Sequence, residues 1–470
     1  MEKHILSKST YIKGEQCLKA LYLYKKRYFL RDRMPPERVA VFTRGIRLGL
    51  LAQQLFPSGI DCGIKSPRSY QKAVDKTRNA MNTGVKTIYE AAFLKHNTLI
   101  FLDILVKKDD GWHAYEVKSS VKLSETYYKD AALQNYVLKE SGVDIKSFNL
   151  IYINRNYSYE KFQEIEKAFI IEDVTEEVES RYETTAENIK KQLTILLQPH
   201  SPKIKPGLQC REPYDCDFIG HCWKHLPEKS VFDIASLTFK EKVEIYENQG
   251  AEPEVAIKLF SPGTTTYNQL KSLIDNELIV NKKILDDFFK GNKKIAFIQL
   301  LYFYPALPVF ENTTPYKKIP FGFALEIVDD SFESVSAVMF LAKQNNNPEM
   351  LIKTKIEELL KDCDKVFYYA DSDNDAGLET DGKYNLNDIF TNGTVAAPKM
   401  PDYRFSTVYQ SITGEIPRYK KIRIEQQAAN VYEKAFRNNF SDENELIDIE
   451  VFLSERLKYI KTLYSRLSEI

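Results

Sequence analysis

The chain lacks most of the features that settle a protein's class on their own. Its 66 Lys and Arg are matched by 66 Asp and Glu, which excludes a protein that is basic throughout. No apolar run approaches the roughly eighteen residues that a membrane-spanning helix needs, so no membrane partner is expected. No glycine-rich phosphate loop is present, and an NTPase site of that kind is excluded. His113, His200, His221 and His225 stand without metal-ligand spacing and are read as structural or solvated. The six cysteines include no pair two to four residues apart, the spacing of zinc modules. No internal repeat or low-complexity tract occurs. No signal peptide precedes the cysteines, so a reducing cytoplasm is expected and stable disulfides are not. What remains is a 470-residue chain, 43% hydrophobic and 28% charged. That composition suits a globular protein of two or three domains.

The stretch from Asp103 to Lys118 carries the most chemistry. Leu99 to Val106 is an apolar β-type run interrupted by one acid, Asp103. A turn, Asp109-Asp110-Gly111, leads into Trp112-His-Ala-Tyr-Glu116-Val-Lys118, and the two runs read as a hairpin. Glu116 and Lys118 are two residues apart, so both leave the same strand face. An acid in an apolar run is costly unless it is paired. One carboxylate from each strand can hold a hard divalent cation such as Mg2+ or Mn2+. Such an ion acidifies a bound water and stabilises a leaving oxygen. Lys118 can orient that water or offset charge developing on a phosphate. Upstream, Thr87 to Phe93 reads as a strand with Glu90 as a third acid. Downstream, Tyr127 to Lys139 has helical periodicity, with Asp130 and Gln134 nearer its polar boundary.

Leu102-Asp103 followed by Glu116-Val117-Lys118 resembles the PD-(D/E)XK nuclease superfamily, and the helix that follows resembles its RecB-like branch. The resemblance implies a restriction-endonuclease-like core. It assigns Asp103, Glu116, Lys118, Gln134 and Glu90 to catalysis, with Asp103, Glu116 and Glu90 as metal ligands. The tyrosine usual four residues beyond the glutamine is Leu138 here, so Tyr136 does not inherit its role.

Three cysteines, Cys210, Cys216 and Cys222, fall at a regular spacing of six, and a fourth, Cys17, lies far upstream. In a reducing compartment, zinc, an iron–sulfur cluster and unligated thiols are all open readings of such a set. One cysteine before the core and three after it resembles the iron–sulfur RecB-like nucleases, which implies a [4Fe–4S] cluster clasping the chain around the core. Cys62 and Cys363 are read as ordinary thiols.

The chain as a whole resembles a bacterial family. The similarity runs through Leu6-Ser-Lys-Ser9-Thr-Tyr-Ile-Lys-Gly14, the segment from Gly49 to Gly59, the nuclease strands and the cysteine run ending at Trp223. That family ends in a DEDD-type, RNase H-like exonuclease domain whose first strand carries Asp-Phe-Glu-Thr before Pro-Ala-x-Pro. This chain has Pro305-Ala-Leu-Pro308, but Gln299 and Leu301 stand where two metal-binding acids belong. Leucine has no donor atom, so the resemblance implies a domain that has lost its own catalysis. The run Asp371, Asp373, Asp375 has Gly382 at the twelfth position of a calcium loop, where glutamate belongs, and is read as an acidic turn. Leu50 occupies a position where relatives carry an acid or a histidine.

The expected fold is thus α/β (α+β). Residues 1–228 form the PD-(D/E)XK nuclease domain with its iron–sulfur clasp, 229–290 a helical connector, and 291–470 the degenerate RNase H-like domain. Within the connector, Leu237–Tyr246 and Tyr267–Phe289 are expected to be helical. Strands are expected at Ile295–Tyr304, Phe321–Val328 and Ser334–Leu341, and an amphipathic helix from Glu443 to Leu467. Residues 1–50 hold twelve Lys/Arg against four Asp/Glu, and residues 159–190 hold four against ten. In the first stretch Lys25, Lys26, Arg27, Arg31, Arg33, Arg44 and Arg47 interleave with Tyr22, Tyr24, Tyr28 and Phe29. These residues could track a phosphate backbone and stack on bases; the bland alternative is a helix whose tyrosines pack inward. The acidic stretch is read as a helical surface. The expected function is a metal-dependent deoxyribonuclease acting on single-stranded or end-containing DNA in repair, recombination or defence. The alternative is an inactive nucleic-acid-binding or scaffolding subunit with protein partners at its C-terminal domain.

Overall fold

The structure, a computed structural model, describes residues 4–34, 45, 47–64, 69–159, 164–290, 293–371, 382–442 and 444–470. It is a mixed α/β protein of two compact units. One comprises residues 1–224 and 305–317, the other 225–304 and 318–470. The segment 229–290, expected as a connector, therefore belongs to the second unit, and 305–317 to the first. Arg44, Asp373 and Asp375 lie outside the described residues. Among the described residues, no helix is long and apolar enough to cross a membrane.

The first unit is built on a seven-stranded sheet: β1 (Leu6–Ser7), β2 (Ile60–Asp61), β3 (Thr87–Lys95), β4 (Thr98–Lys107), β5 (Trp112–Lys118), β6 (Ile145–Ile153) and β7 (Phe169–Asp173). Strands β2 to β7 lie in sequence order, and β1 pairs in parallel with the start of β4. The β3–β4–β5 meander is antiparallel. Its turns are tight, so neighbouring strands reverse direction. Strand β6 runs parallel to β5. A parallel pair needs a crossover, and the helix Glu125–Glu140 supplies it.

Tyr11, Leu133, Val137, Ile189 and Leu196 pack with Ile88, Ala91, Leu102, Ala114 and Leu150 in one core. They come from the helices Lys8–Gln16, Glu125–Glu140 and Tyr182–Leu197 and from the sheet. A second core gathers Tyr89, Ile104, Tyr115, Ile151 and Phe169, and Ala306 and Leu307 of the 305–317 segment join it.

In the second unit, β8 (Ile279–Val280) precedes β9 (Lys294–Phe303), β10 (Ile319–Asp329), β11 (Ser334–Leu341), β12 (Lys365–Tyr368) and β13 (Lys383–Asn385). These last five form one sheet in the order β11-β10-β9-β12-β13. β9 to β11 make an antiparallel meander, and β12 and β13 are parallel to β9. β14 (Val395–Ala396) pairs with β8. The long C-terminal helix is Asn444–Ser468.

The single helix expected over Tyr267–Phe289 is instead two, Thr265–Asp275 and Lys282–Phe289, with β8 between them. Asn276 ends the first at φ 57°, the left-handed cap that Asn tolerates. The Asn281 side chain accepts from Ile284 N–H to start the second. The apolar periodicity runs on through a stop and a start that lie in two asparagines.

Candidate active site

The pairing register builds the site. Tyr89 faces Ile104 and Ala91 faces Leu102, so Glu90 stands alongside Asp103. Ile104 faces Tyr115, so one residue further Asp103 stands alongside Glu116. Three neighbouring strands thus carry Glu90, Asp103 and Glu116 in a row. The ladder is broken at that row. Glu90 has a left-handed φ of 50°, a conformation that costs a non-glycine residue about 1 kcal/mol or more and collects at functional sites. The side-chain alternation also changes sides there, since Leu102 and Ala91 join one core while Ile104 and Tyr89 join the other. Asp103 uses the gap between β4 and β5, its Oδ2 accepting the Val117 N–H at 2.6 Å.

Two ammoniums face this row. Lys118 Nζ donates to Glu116 Oε1 at 2.9 Å and also to Asp130 Oδ2, from the crossover helix. It lies 5.3 Å from the centre of the Tyr127 ring. Lys8, at the start of the helix Lys8–Gln16, donates to the same Glu116 oxygen at 2.8 Å. Burial raises the Asp103 carboxyl well above the usual carboxylate range, and Glu116 and Glu90 add to the rise. Burial also pushes Glu116 up, but Lys118 and Lys8 outweigh it and hold that carboxyl low. Glu90 is raised by burial, with Glu116 and Asp61 adding to it. Burial works against the Lys118 charge, yet Asp130 and Glu116 overcome it and raise its pKa. Lys118 is therefore a fixed cation, suited to offsetting charge and not to accepting a proton.

Several buried polar atoms here lack a hydrogen-bond partner among the described residues: Glu116 Oε2, Asp130 Oδ1 and both amide atoms of Gln134. Glu116 is 3% exposed and Gln134 0%. Asp130 and Gln134 are both expected near a polar boundary; the crossover helix instead buries both, one turn apart. Buried atoms of this kind ordinarily find partners, and an oxygen donor set with open lone pairs suits a hard cation. The oxygens do not converge as they stand, because Lys8 and Lys118 hold Glu116 and Val117 N–H holds Asp103. Accordingly, no three His, Cys, Asp or Glu side chains among the described residues are close enough to hold a single ion. Sequence reasoning assigned Lys8 no role, since it lies 108 residues from Glu116 and no spacing rule connects them. Leu50 is 61% exposed.

Lys118→Met is expected to destabilise the metal-free protein by about 3 kcal/mol or more, because it leaves the buried Asp130 carboxylate without its cation and Glu116 with Lys8 alone. Adding Asp130→Asn should restore part of the loss in urea denaturation. Equal stability of Lys118→Met and wild type would show that the ion pair does not hold.

The four cysteines come together. Cys17, Cys210, Cys216 and Cys222 line one cavity with Ala20, Phe218 and Ile219, and none of the six cysteines forms a disulfide. Cys17 is the extended residue between the helices Lys8–Gln16 and Leu18–Lys26. Gln16 Nε2 ties that junction to the cysteine loop through Gln209 O at 2.8 Å and Tyr214 O at 2.6 Å. Within the loop, Cys216 N–H donates to Cys210 O at 2.8 Å. Ala20, Leu23 and Phe218 supply an apolar wall. Burial pushes the Cys17 and Cys222 thiols up and takes Cys216 to about 12. Four thiols around one cavity could, as thiolates, hold either a single metal ion or a cluster. Cys62 is buried and Cys363 half-buried.

In the second unit, Gln299 and Leu301 lie on β9 at 4% and 0% exposure. The position of an expected acid is occupied by an amide that bonds a cation of the chain itself. Gln299 Oε1 accepts from Arg456 Nε at 3.2 Å, and its Nε2 donates to Glu425 at 3.1 Å. Arg456 lies 3.5 Å from the centre of the Phe405 ring, and Asp371 accepts the Phe405 N–H at 3.1 Å.

The basic N-terminal stretch divides. Tyr22 is buried and donates to Pro199 O at 3.0 Å, as the inward-packing alternative has it. Lys26, Arg27, Tyr28, Phe29 and Arg33 are exposed. His113 is buried between Ser147 and Asp110, a structural role. No protein-family model matches the chain, and no curated protein matches it.

Proposed function

We propose that the chain is a divalent-metal-dependent deoxyribonuclease, a RecB-like PD-(D/E)XK enzyme carrying a [4Fe–4S] cluster. The observation that carries this reading is the row of Glu90, Asp103 and Glu116 across three adjacent strands. Lys118 stands beside it and buried oxygens lie open within it. Mg2+ or Mn2+ would be held by Asp103, Glu116 and Glu90 and would supply an acidified water and neutralisation of the phosphate. The rest of the work falls to the chain. Asp130 holds Lys118 so that its ammonium faces the row, where it offsets the charge that grows on the phosphorane oxygens. Gln134 offers a donor and an acceptor within the same buried layer. Exposed Lys26, Arg27 and Arg33 beside Tyr28 and Phe29 suit a nucleic-acid strand, with the cations on phosphates and the rings on bases.

The four-cysteine cavity supports the cluster, and a cluster with thiolate ligands suits the reducing cytoplasm. The second unit, with an antiparallel meander extended by two parallel strands, is compatible with the RNase H-like expectation. Arg456 at Gln299 supports the loss of metal chemistry there, leaving that unit to bind nucleic acid or a protein partner. The same substitution favours a second reading, a binding subunit with no catalysis.

Purified full-length protein tested on end-labelled single- and double-stranded DNA, with Mg2+ or Mn2+, separates the two. Cleavage that EDTA stops is expected. Full-length protein carrying Asp103→Ala should have no metal-dependent hydrolysis left, because the second unit contributes none. Residual cleavage lost on changing Asp371 would place catalysis in the second unit.

A further inference from the structure

We propose that Lys8 is a built-in counter-ion of the carboxylate row and sets how tightly the row takes a divalent cation. The inference rests on the metal-site reading above and adds a positioning residue to it. Lys8 is held from both sides. Before it, Leu6 and Ser7 pair with Thr98 and Leu99 of β4. After it, the helix Lys8–Gln16 begins under a capping box made by Ser7 and Thr10. At the far end of that helix Cys17 N–H donates to Lys13 O, and Gln16 is bonded to the cysteine loop. The Gln192 amide donates to Tyr11 O at 3.1 Å, pinning the middle. The ammonium is thus delivered to the row by a braced helix, not by a free loop.

Its position is that of a competitor. Glu116 Oε1 receives Lys8 at 2.8 Å and Lys118 at 2.9 Å, while Glu116 Oε2, in a residue 3% exposed, has no partner among the described residues. Lys118 is spoken for by Asp130 as well; Lys8 is the second cation on one oxygen. Lys8 also faces Asp103, Asp130 and Glu90 electrostatically. The four carboxylates that Lys8 faces, set against the two ammoniums, leave two negative charges when all are ionised, with Asp61 a further acid beside Glu90. Without Lys8 the surplus is three. A divalent cation entering the row must push Lys8 off Glu116 and then sit near it. Like charges a few ångströms apart in a buried site repel strongly, so Lys8 keeps affinity for the ion down and gives the acids a partner when the ion is absent.

The test is Mn2+ binding to the full chain, read as the loss of the free-ion signal in electron paramagnetic resonance, for wild type, Lys8→Gln, Lys8→Arg and Asp103→Ala. Lys8→Gln should bind Mn2+ at least about tenfold more tightly than wild type. Lys8→Arg, which keeps the charge, should stay within about threefold of wild type. Lys8 is a quarter exposed at its side chain, and thermal melts of each variant confirm that the comparison is between folded proteins. Equal or weaker binding by Lys8→Gln, with binding still lost in Asp103→Ala, overturns the role of Lys8 and leaves the metal site standing. Absence of Mn2+ binding in wild type and in both Lys8 variants overturns the metal-site reading, and this inference with it.

Discussion

Protein carrying Asp103→Ala is expected to fold normally and to cleave labelled DNA at least about a thousandfold more slowly than wild type with Mg2+ or Mn2+. The two effects separate because of where Asp103 sits. Its carboxyl is pushed up to about 8 by burial and by Glu116 and Glu90, so its ionised form is disfavoured in the metal-free protein. Alanine relieves that repulsion and loses one hydrogen bond, to Val117 N–H, each on the order of 1 kcal/mol. Glu116→Gln should give a comparable rate loss, and the double variant should be no slower than the worse single one, since the acids act as one unit. Glu116→Gln also removes the charge that Lys8 and Lys118 share, so it should lower stability where Asp103→Ala does not. Melting curves measured beside the cleavage rates distinguish the two. Normal cleavage by Asp103→Ala would falsify the assignment of the site.

Loss of any one of the four cavity cysteines is expected to be the most damaging change to the first unit. Anaerobically purified wild type should be brown and carry about four irons per chain. Cys17→Ala, Cys210→Ala, Cys216→Ala and Cys222→Ala should each be colourless. Cys17 is some two hundred residues from Cys210, so a group joining them closes a long loop. Closing a loop of that size stabilises a folded chain by about 4–5 kcal/mol on the scale of disulfides. Each variant should therefore melt at lower temperature, with the loss concentrated in the first unit. Cys62→Ala and Cys363→Ala, which do not line the cavity, should keep colour and iron. One zinc per chain with no visible absorption would exclude the cluster.

The two sets of changes are linked by the helix Lys8–Gln16, which begins at the carboxylates and ends at Cys17. Cysteine variants should accordingly lose cleavage through disorder of the site as well as through instability.

How much of this was legible beforehand follows from what local pattern can carry. The alternation of Trp112–Lys118, the apolar run around Asp103 and the turn at Asp109–Gly111 are local signals. They marked a hairpin whose strands are Thr98–Lys107 and Trp112–Lys118. The periodicity of Tyr127–Lys139 marked the helix Glu125–Glu140, and the regular spacing of Cys210, Cys216 and Cys222 marked them as a set. The same periodicity misled at Tyr267–Phe289, where two asparagines break a helix that the apolar pattern carries through.

The sequence by itself determined the elements and the residue types available for chemistry, because side-chain period and turn preference act over a few neighbouring residues. It did not determine which residues meet. That Glu90 lies alongside Asp103 depends on the register of β3 with β4 and on a left-handed kink at Glu90. That Lys8 reaches Glu116, that four cysteines share a cavity, and that 305–317 joins the first unit are contacts between distant parts of the chain. Gln299 stood out only against a family resemblance, and the arginine beside it, 157 positions away, belongs to the C-terminal helix. Such contacts are selected by burial and charge balance over the whole fold, and only the tertiary structure decides them.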